Sequence, residues 1–187
     1  MIERGAFAEL HCLSNYSFLR GASHPEELVY KASDLGYSAI AITDECSYSG
    51  LVKAHVAAKQ CGIKLIVGAE FFVDMTHGEE KNSVENIIML APTRQAYGQL
   101  SAFISKIRRK NQKGNSYLCY EDCQIGLSDC LILWSPELQD IDIQVSVGHK
   151  LKTIFQHFWI TLELFQDGFD IDKTAQALTL SSRLNLR

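Results

Sequence analysis

The stretch "SHPEELVYKASDLGYSAIAITD", residues 23–44, sets a helical pattern and a strand end to end. Ser23 with Glu26 three residues later reads as a capping box, with Pro25 in the first turn, and Gly36 stands just past the end of "PEELVYKASDL", where helices turn left-handed. "SAIAITD" is then almost continuously apolar, as a strand covered on both faces must be. Upstream, Phe7 to Cys12 reads as a first strand that carries His11 near its end. Downstream the unit repeats. "GLVKAHVAAKQ" places Leu51, Ala54, Ala58 and Val56 near one helical face and stops at Gly62, and "KLIVGAEFFV" follows as a third strand. Short apolar runs alternating with helices predict an α/β fold with parallel strands.

The pattern continues with "NIIMLA" as a fourth strand. "TRQAYGQLSAFISKIRRK" is a helix with Leu100, Phe103, Ile104 and Ile107 inward. "CLILW" and "FWITLELF" make two more strands, six in all, and "DKTAQALTLSSRLNL" is a closing helix. The polar "KNQKGNSY" is a loop. The basic run Lys106, Arg108, Arg109, Lys110 and Lys113 suits the end of a helix and water, with a nucleic-acid backbone as the alternative partner.

At 187 residues and 47% hydrophobic, the chain predicts one domain with a substantial core. A net charge of −4 gives no overall pull toward nucleic acid or an anionic membrane, so DNA contact has to come from a local patch or from another part of a larger protein. "MIERGAF" lacks the apolar core of a signal peptide, and no stretch approaches the ~20 apolar residues of a membrane span. The expectation is a cytoplasmic protein without membrane partners. Cys12, Cys46, Cys61, Cys119, Cys123 and Cys130 contain no C-x-x-C pair and read as reduced thiols that pack as small hydrophobes. The spacing of Cys119, Cys123 and Cys130 fits no common zinc finger.

His11, Asp44 and Glu70 fall at or just past the expected ends of three successive strands. In parallel barrels those ends share one face, where reactive groups collect. An imidazole and two carboxylates together suit zinc, manganese or iron. Each also has an ordinary alternative: a hydrogen-bonded structural histidine, a cap for the turn after Asp44, a pairing of Glu70 with a lysine or a backbone donor. His24 reads as an exposed first-turn residue, and His55, His77, His149 and His157 have no matching carboxylates.

The run from Ala8 to Phe72, "AELHCLSNYSFLRGASHPEELVYKASDLGYSAIAITDECSYSGLVKAHVAAKQCGIKLIVGAEFF", closely resembles the start of error-prone bacterial C-family DNA polymerases, relatives of the polymerase III alpha subunit. "IIMLAPTRQAYGQLSAFISKIRR", "CLILWSPE" and "FWITLELF" continue the likeness. The segment is similar to a PHP domain. The resemblance implies a distorted seven-stranded β/α barrel, here 1–187 as a single domain with about six strands and an incomplete C-terminal end. It also implies a place in a larger polymerase chain, which would hold the polymerase active site and the contacts with DNA and with other replication or repair subunits.

The metal motifs depart from the family's. The His-x-His of the first strand is His11-Cys12-Leu13 here, Thr43-Asp44 is followed by Glu45 rather than histidine, Glu70 matches, a later histidine position is Asn86, and the closing Gly-Asp-x-His is absent. The implied site is therefore degenerate: His11, Asp44 and Glu70, holding at most one zinc, manganese or iron ion weakly. The implied role is a scaffold for damage-tolerant DNA synthesis, the alternative a metal-dependent phosphoesterase or PHP 3′–5′ exonuclease.

Overall fold

A computed structural model describes residues 7–75, 84–124 and 126–186; residues 1–6, His77 and Arg187, raised above, lie outside them. Seven strands form one sheet: β1 (Ala8–Glu9), β2 (Ala39–Ile42), β3 (Lys64–Asp74), β4 (Val84–Ala91), β5 (Leu118–Cys119), β6 (Leu131–Ser135) and β7 (Phe158–Ile160). Five helices accompany them: α1 (Pro25–Asp34), α2 (Leu51–Cys61), α3 (Arg94–Lys110), α4 (Ile141–Ile154) and α5 (Asp170–Leu184). The sheet runs β1-β2-β3-β4-β6-β7, and the short β5 adds to the far end of β3. All six expected strands are present, β1 and β7 much shorter than their apolar runs suggested.

The direction of the strands corrects the sequence expectation. β1, β2 and β3 are parallel, as are β6 and β7, but β4 runs antiparallel to both β3 and β6. Only residues 75–83 separate β3 from β4, too few for the helical crossover that parallel neighbours require. The return of β6 has its own cause. β5 continues in the direction of β3, and the chain then doubles back until Asp129 meets Gln95 and Gln99 in the first turns of α3, so β6 starts where β4 ended.

Helix ends show how local chemistry sets the boundaries. The cap of α1 falls one residue later than expected: Pro25 takes the first helical position, and the backbone N–H of His24 donates to the carboxylate of Glu27 at 2.8 Å. Gly62 ends α2 with a φ of 76°, as its position predicted. Ala54, Ala57 and Ala58 form the buried face of α2, whereas Val56 points outward. Thr93 caps α3 by accepting from the N–H of Ala96, and Ala96, Leu100, Phe103 and Ile107 are its buried face.

Two layers of core cover the convex side of the sheet. Val29, Ala32, Ile40, Ile42, Ala54, Ala57 and Ala58 pack α1 and α2 on β2. Phe71, Ile87, Met89, Leu100, Phe103, Trp134, Leu151, Leu180 and Leu184 join α3, α4 and α5 to β3, β4 and β6. The concave side is different. Strand periodicity and register line up Ile66, Leu90 and Leu131 toward one end of it, and Phe72, Asn86 and Ser135 across the other, with Glu70, Ile88 and Leu133 between. The hollow is therefore apolar at one mouth and polar at the other. At the apolar mouth Leu10, just past β1, and Trp159, on β7, line one groove of about 530 Å³. The sheet is thus curled far enough to bring its two borders toward each other, as a partly closed barrel.

Candidate functional site

At the polar mouth three segments supply the site. Thr43 ties the chain after β1 to the chain after β2: its N–H donates to the carbonyl of Cys12 at 2.9 Å, and its hydroxyl accepts from the N–H of Cys12 at 3.0 Å. This carries His11 beyond the two-residue β1 and over the concave face. Glu70 does not end its strand, as the sequence suggested, but lies inside β3, pointing into the hollow and fully buried. Its N–H donates to the carbonyl of Thr43, and its carbonyl accepts from the N–H of Cys46.

His11 and Glu70 meet as expected, with Nε2 of the imidazole 2.9 Å from Oε2 of the carboxylate. The other ring nitrogen, Nδ1, contacts Glu163 in the loop after β7. Burial works against the charge on Glu163, but the hydrogen bond and charge of His11 outweigh it and hold the carboxyl below its usual range. Glu163 had been placed in a strand; β7 ends at Ile160 and frees it to turn inward. Its signal was present in the sequence, since it follows an apolar run just as His11 and Asp44 do.

Asp44 is also buried at the mouth, but its carboxylate has other partners. Oδ1 accepts from the N–H of Ser14 at 2.8 Å and from the hydroxyl of Ser17 at 2.7 Å; Oδ2 accepts from the hydroxyl of Ser14 at 2.6 Å. The aspartate thus caps the 14–21 loop. That loop is a tight one. Leu19 has a φ of 61°, and a side chain at Gly21 would meet the carbonyl oxygen of Ser14 at 2.0 Å, so only glycine fits there.

The residue the loop presents is Arg20, which the sequence reading did not single out. One guanidinium nitrogen contacts Oε1 of Glu70 and stands 3.4 Å from Oε2 of Glu45; the other is 3.3 Å from Oε2 of Glu70. The guanidinium also lies over the ring of Phe72, 4.9 Å from its centroid. Beside this cluster opens a cleft of about 350 Å³, lined among others by Asn86, Ser135, Glu163 and Lys173. Asn86, on β4, turns a buried Oδ1 that has no hydrogen-bond partner.

The candidate donors all have partners within the chain. Both nitrogens of His11 are engaged, the carboxylate of Glu70 carries a guanidinium, and the oxygens of Asp44 face two serines. Among the described residues no three His, Cys, Asp or Glu side chains are placed together to hold a metal. The six cysteines are free thiols. Burial pushes Cys46 and Cys130 up to about 11 and Cys123 up to about 12, which favours neutral thiols packed in the core. The basic end of α3 is partly spent inside the molecule: Arg108 donates to the carbonyls of Glu45 and Cys46, and Lys106 and Lys110 pair with Asp122.

The chain is thus an α/β protein with a curled mixed sheet, whose polar mouth gathers a histidine, carboxylates and an arginine. The family model for the PHP domain matches residues 9–157, and the chain belongs to that family. An error-prone DNA polymerase from Idiomarina loihiensis is 47% identical over 173 residues, 92% of this chain and 16% of the relative. Another from Teredinibacter turnerae is 51% identical over 195 residues, 97% of this chain and 18% of the relative. The chain thus spans less than a fifth of the polymerases it matches. Among solved structures, an amidohydrolase from Chromobacterium violaceum, with sulfate bound and no metal, superposes with a TM-score of 0.73 at 15% identity, over 97% of this chain and 84% of that one. A two-domain protein from Bacteroides vulgatus, containing a predicted PHP-like metal-dependent phosphoesterase, gives 0.56 at 15% identity, over 96% of this chain and 49% of that one. No helix among the described residues is long and apolar enough to cross a membrane.

Proposed function

We propose that this PHP domain is a non-hydrolytic scaffold of an error-prone DNA polymerase, working in the cytoplasm beside domains that carry synthesis and the contacts with DNA. The observation that carries this reading is the Arg20 guanidinium seated on Glu70, the one family-type carboxylate that points into the hollow. A buried carboxylate already neutralised by the protein's own cation is a poor ligand for another. In the same reading His11, Asp44 and Glu70 form a degenerate metal site whose remaining work is to hold the strand ends together. Their partners are a carboxylate, two serine hydroxyls and an arginine, all within the domain. The high identity to error-prone polymerases supports the polymerase context.

The test is hydrolysis of a simple phosphoester and of single-stranded DNA by the purified chain, with zinc, manganese or iron(II) supplied. No turnover is expected with any of them. Turnover that disappears in His11→Ala would instead support the second reading, a metal-dependent phosphoesterase or 3′–5′ exonuclease, which draws on the His11–Glu70 contact beside an open cleft.

A further inference from the structure

The neighbours of Arg20 make a particular arrangement of charge. Glu70 is fully buried, Glu163 is about three-quarters covered and Glu45 about seven-tenths. Around Glu70 stand one imidazole and one guanidinium, and the guanidinium spans Glu70 and Glu45, two carboxylates from adjacent segments of the sheet. Carboxylates gathered from separate strands repel one another unless a cation lies among them. In a metal-loaded site of this kind the ion performs that task. Here the same task falls to a side chain, and the loop that delivers it is fixed by Asp44.

We propose that Arg20 is a built-in counter-cation of this pocket, standing in the position of a metal ion between Glu45 and Glu70 and held there by the Asp44-clamped 14–21 loop. The arrangement converts one former ligand position into a clamp and leaves another as the partner of a fixed charge. Three features fit together in this reading. Ser14 and Ser17 use up the oxygens of Asp44; the positive φ of Leu19 and the close approach at Gly21 turn the chain back; and the ring of Phe72 gives the guanidinium a face to lie on. Arg20 is a positioning residue that acts through charge, and the domain needs no divalent ion to hold its strand ends. The inference deepens the scaffold reading and rests on it for the pocket's lack of chemistry.

The experiment compares melting temperatures of the purified chain and of Arg20→Met, each with chelator and with manganese(II), which accepts carboxylate oxygen. A third protein, the double variant Arg20→Met with Glu70→Gln, removes the charge that Arg20 neutralises. The unaltered chain is expected to melt at the same temperature with chelator and with manganese. Arg20→Met is expected to lose about 5 °C or more, because it strands a buried carboxylate. Either manganese or the added Glu70→Gln is expected to recover at least half of that loss, and recovery by either one supports the proposal. A loss that neither recovers would assign Arg20 to packing and overturn it. So would an unchanged melting temperature in Arg20→Met, or manganese that raises the melting temperature of the unaltered chain. Hydrolytic turnover by the unaltered chain would overturn the scaffold reading separately, whatever the melting temperatures.

Discussion

Asp44 holds Ser14 twice, through its backbone N–H at 2.8 Å and through its hydroxyl at 2.6 Å. A carboxylate buried in this way depends on its donors, and the donors on it. Asp44→Ala is expected to cost about 2–4 kcal/mol by leaving the Ser14 N–H and two hydroxyls without their acceptor. Asp44→Asn is expected to cost nearly as much, since an amide nitrogen would face serine donors. Urea unfolding followed by circular dichroism measures both.

His11 joins the two borders of the sheet, since it follows β1 and contacts Glu163 after β7, while Glu70 on the central β3 meets its other ring nitrogen. His11→Ala is expected to lower stability by about 1–3 kcal/mol, because two carboxylates lose a shared partner. Metal content measured by mass spectrometry is expected to stay the same. A variant that kept its melting temperature would remove His11 from this structural role.

Asp122 supplies a pH dependence on the acid side. Burial acts to raise its pKa, but the hydrogen bonds from Lys110 and from the thiol and N–H of Cys119 outweigh burial and hold it down at about 2. A carboxyl depressed from 3.8 in the folded state contributes stability above about pH 4, and that contribution is lost as pH falls through 2. Melting temperatures between pH 5 and pH 2 are expected to fall less steeply for Asp122→Asn than for the unaltered chain.

Two helical glycines are expected to respond with opposite sign. A Cβ at Gly98, on the exposed side of α3, would have nothing within 4 Å, and Gly98→Ala is expected to stabilise by about 0.5–1 kcal/mol. A Cβ at Gly148, in α4, would come within 2.3 Å of Leu184 and 3.1 Å of Trp134, both fully buried, so Gly148→Ala is expected to cost about 1–3 kcal/mol. Thermal unfolding of the two variants side by side decides it.

Much of this architecture was legible in the sequence because its elements obey local rules. Continuous apolar runs marked β2, β3, β4 and β6, and Gly36 and Gly62 marked helix ends. Strand direction was not legible, because it depends on where the connections lead. Periodicity reads the same in either direction. α4 was missed although Asp140 caps it by accepting from the N–H groups of Asp142 and Ile143; a buried glutamine and glycine on its inner face blur the apolar pattern. In the site, the pairing of His11 with Glu70 followed from strand order. The departure of Asp44 did not, because the hydroxyls of Ser14 and Ser17, 30 and 27 residues upstream, claim it. Arg20 went unremarked for a related reason: a lone arginine in a polar loop carries no spacing, and only the fold of the loop gives it a direction.

The sheet is broad in the middle, with eleven residues in β3 and eight in β4, and tapers to two residues in β1 and three in β7. Borders this short offer a foreign strand hardly any backbone to extend, which is one of the ways native sheets avoid fusing edge to edge. The outline of the sheet, tapering to both sides, thus leaves few backbone groups at either border for edge-to-edge pairing.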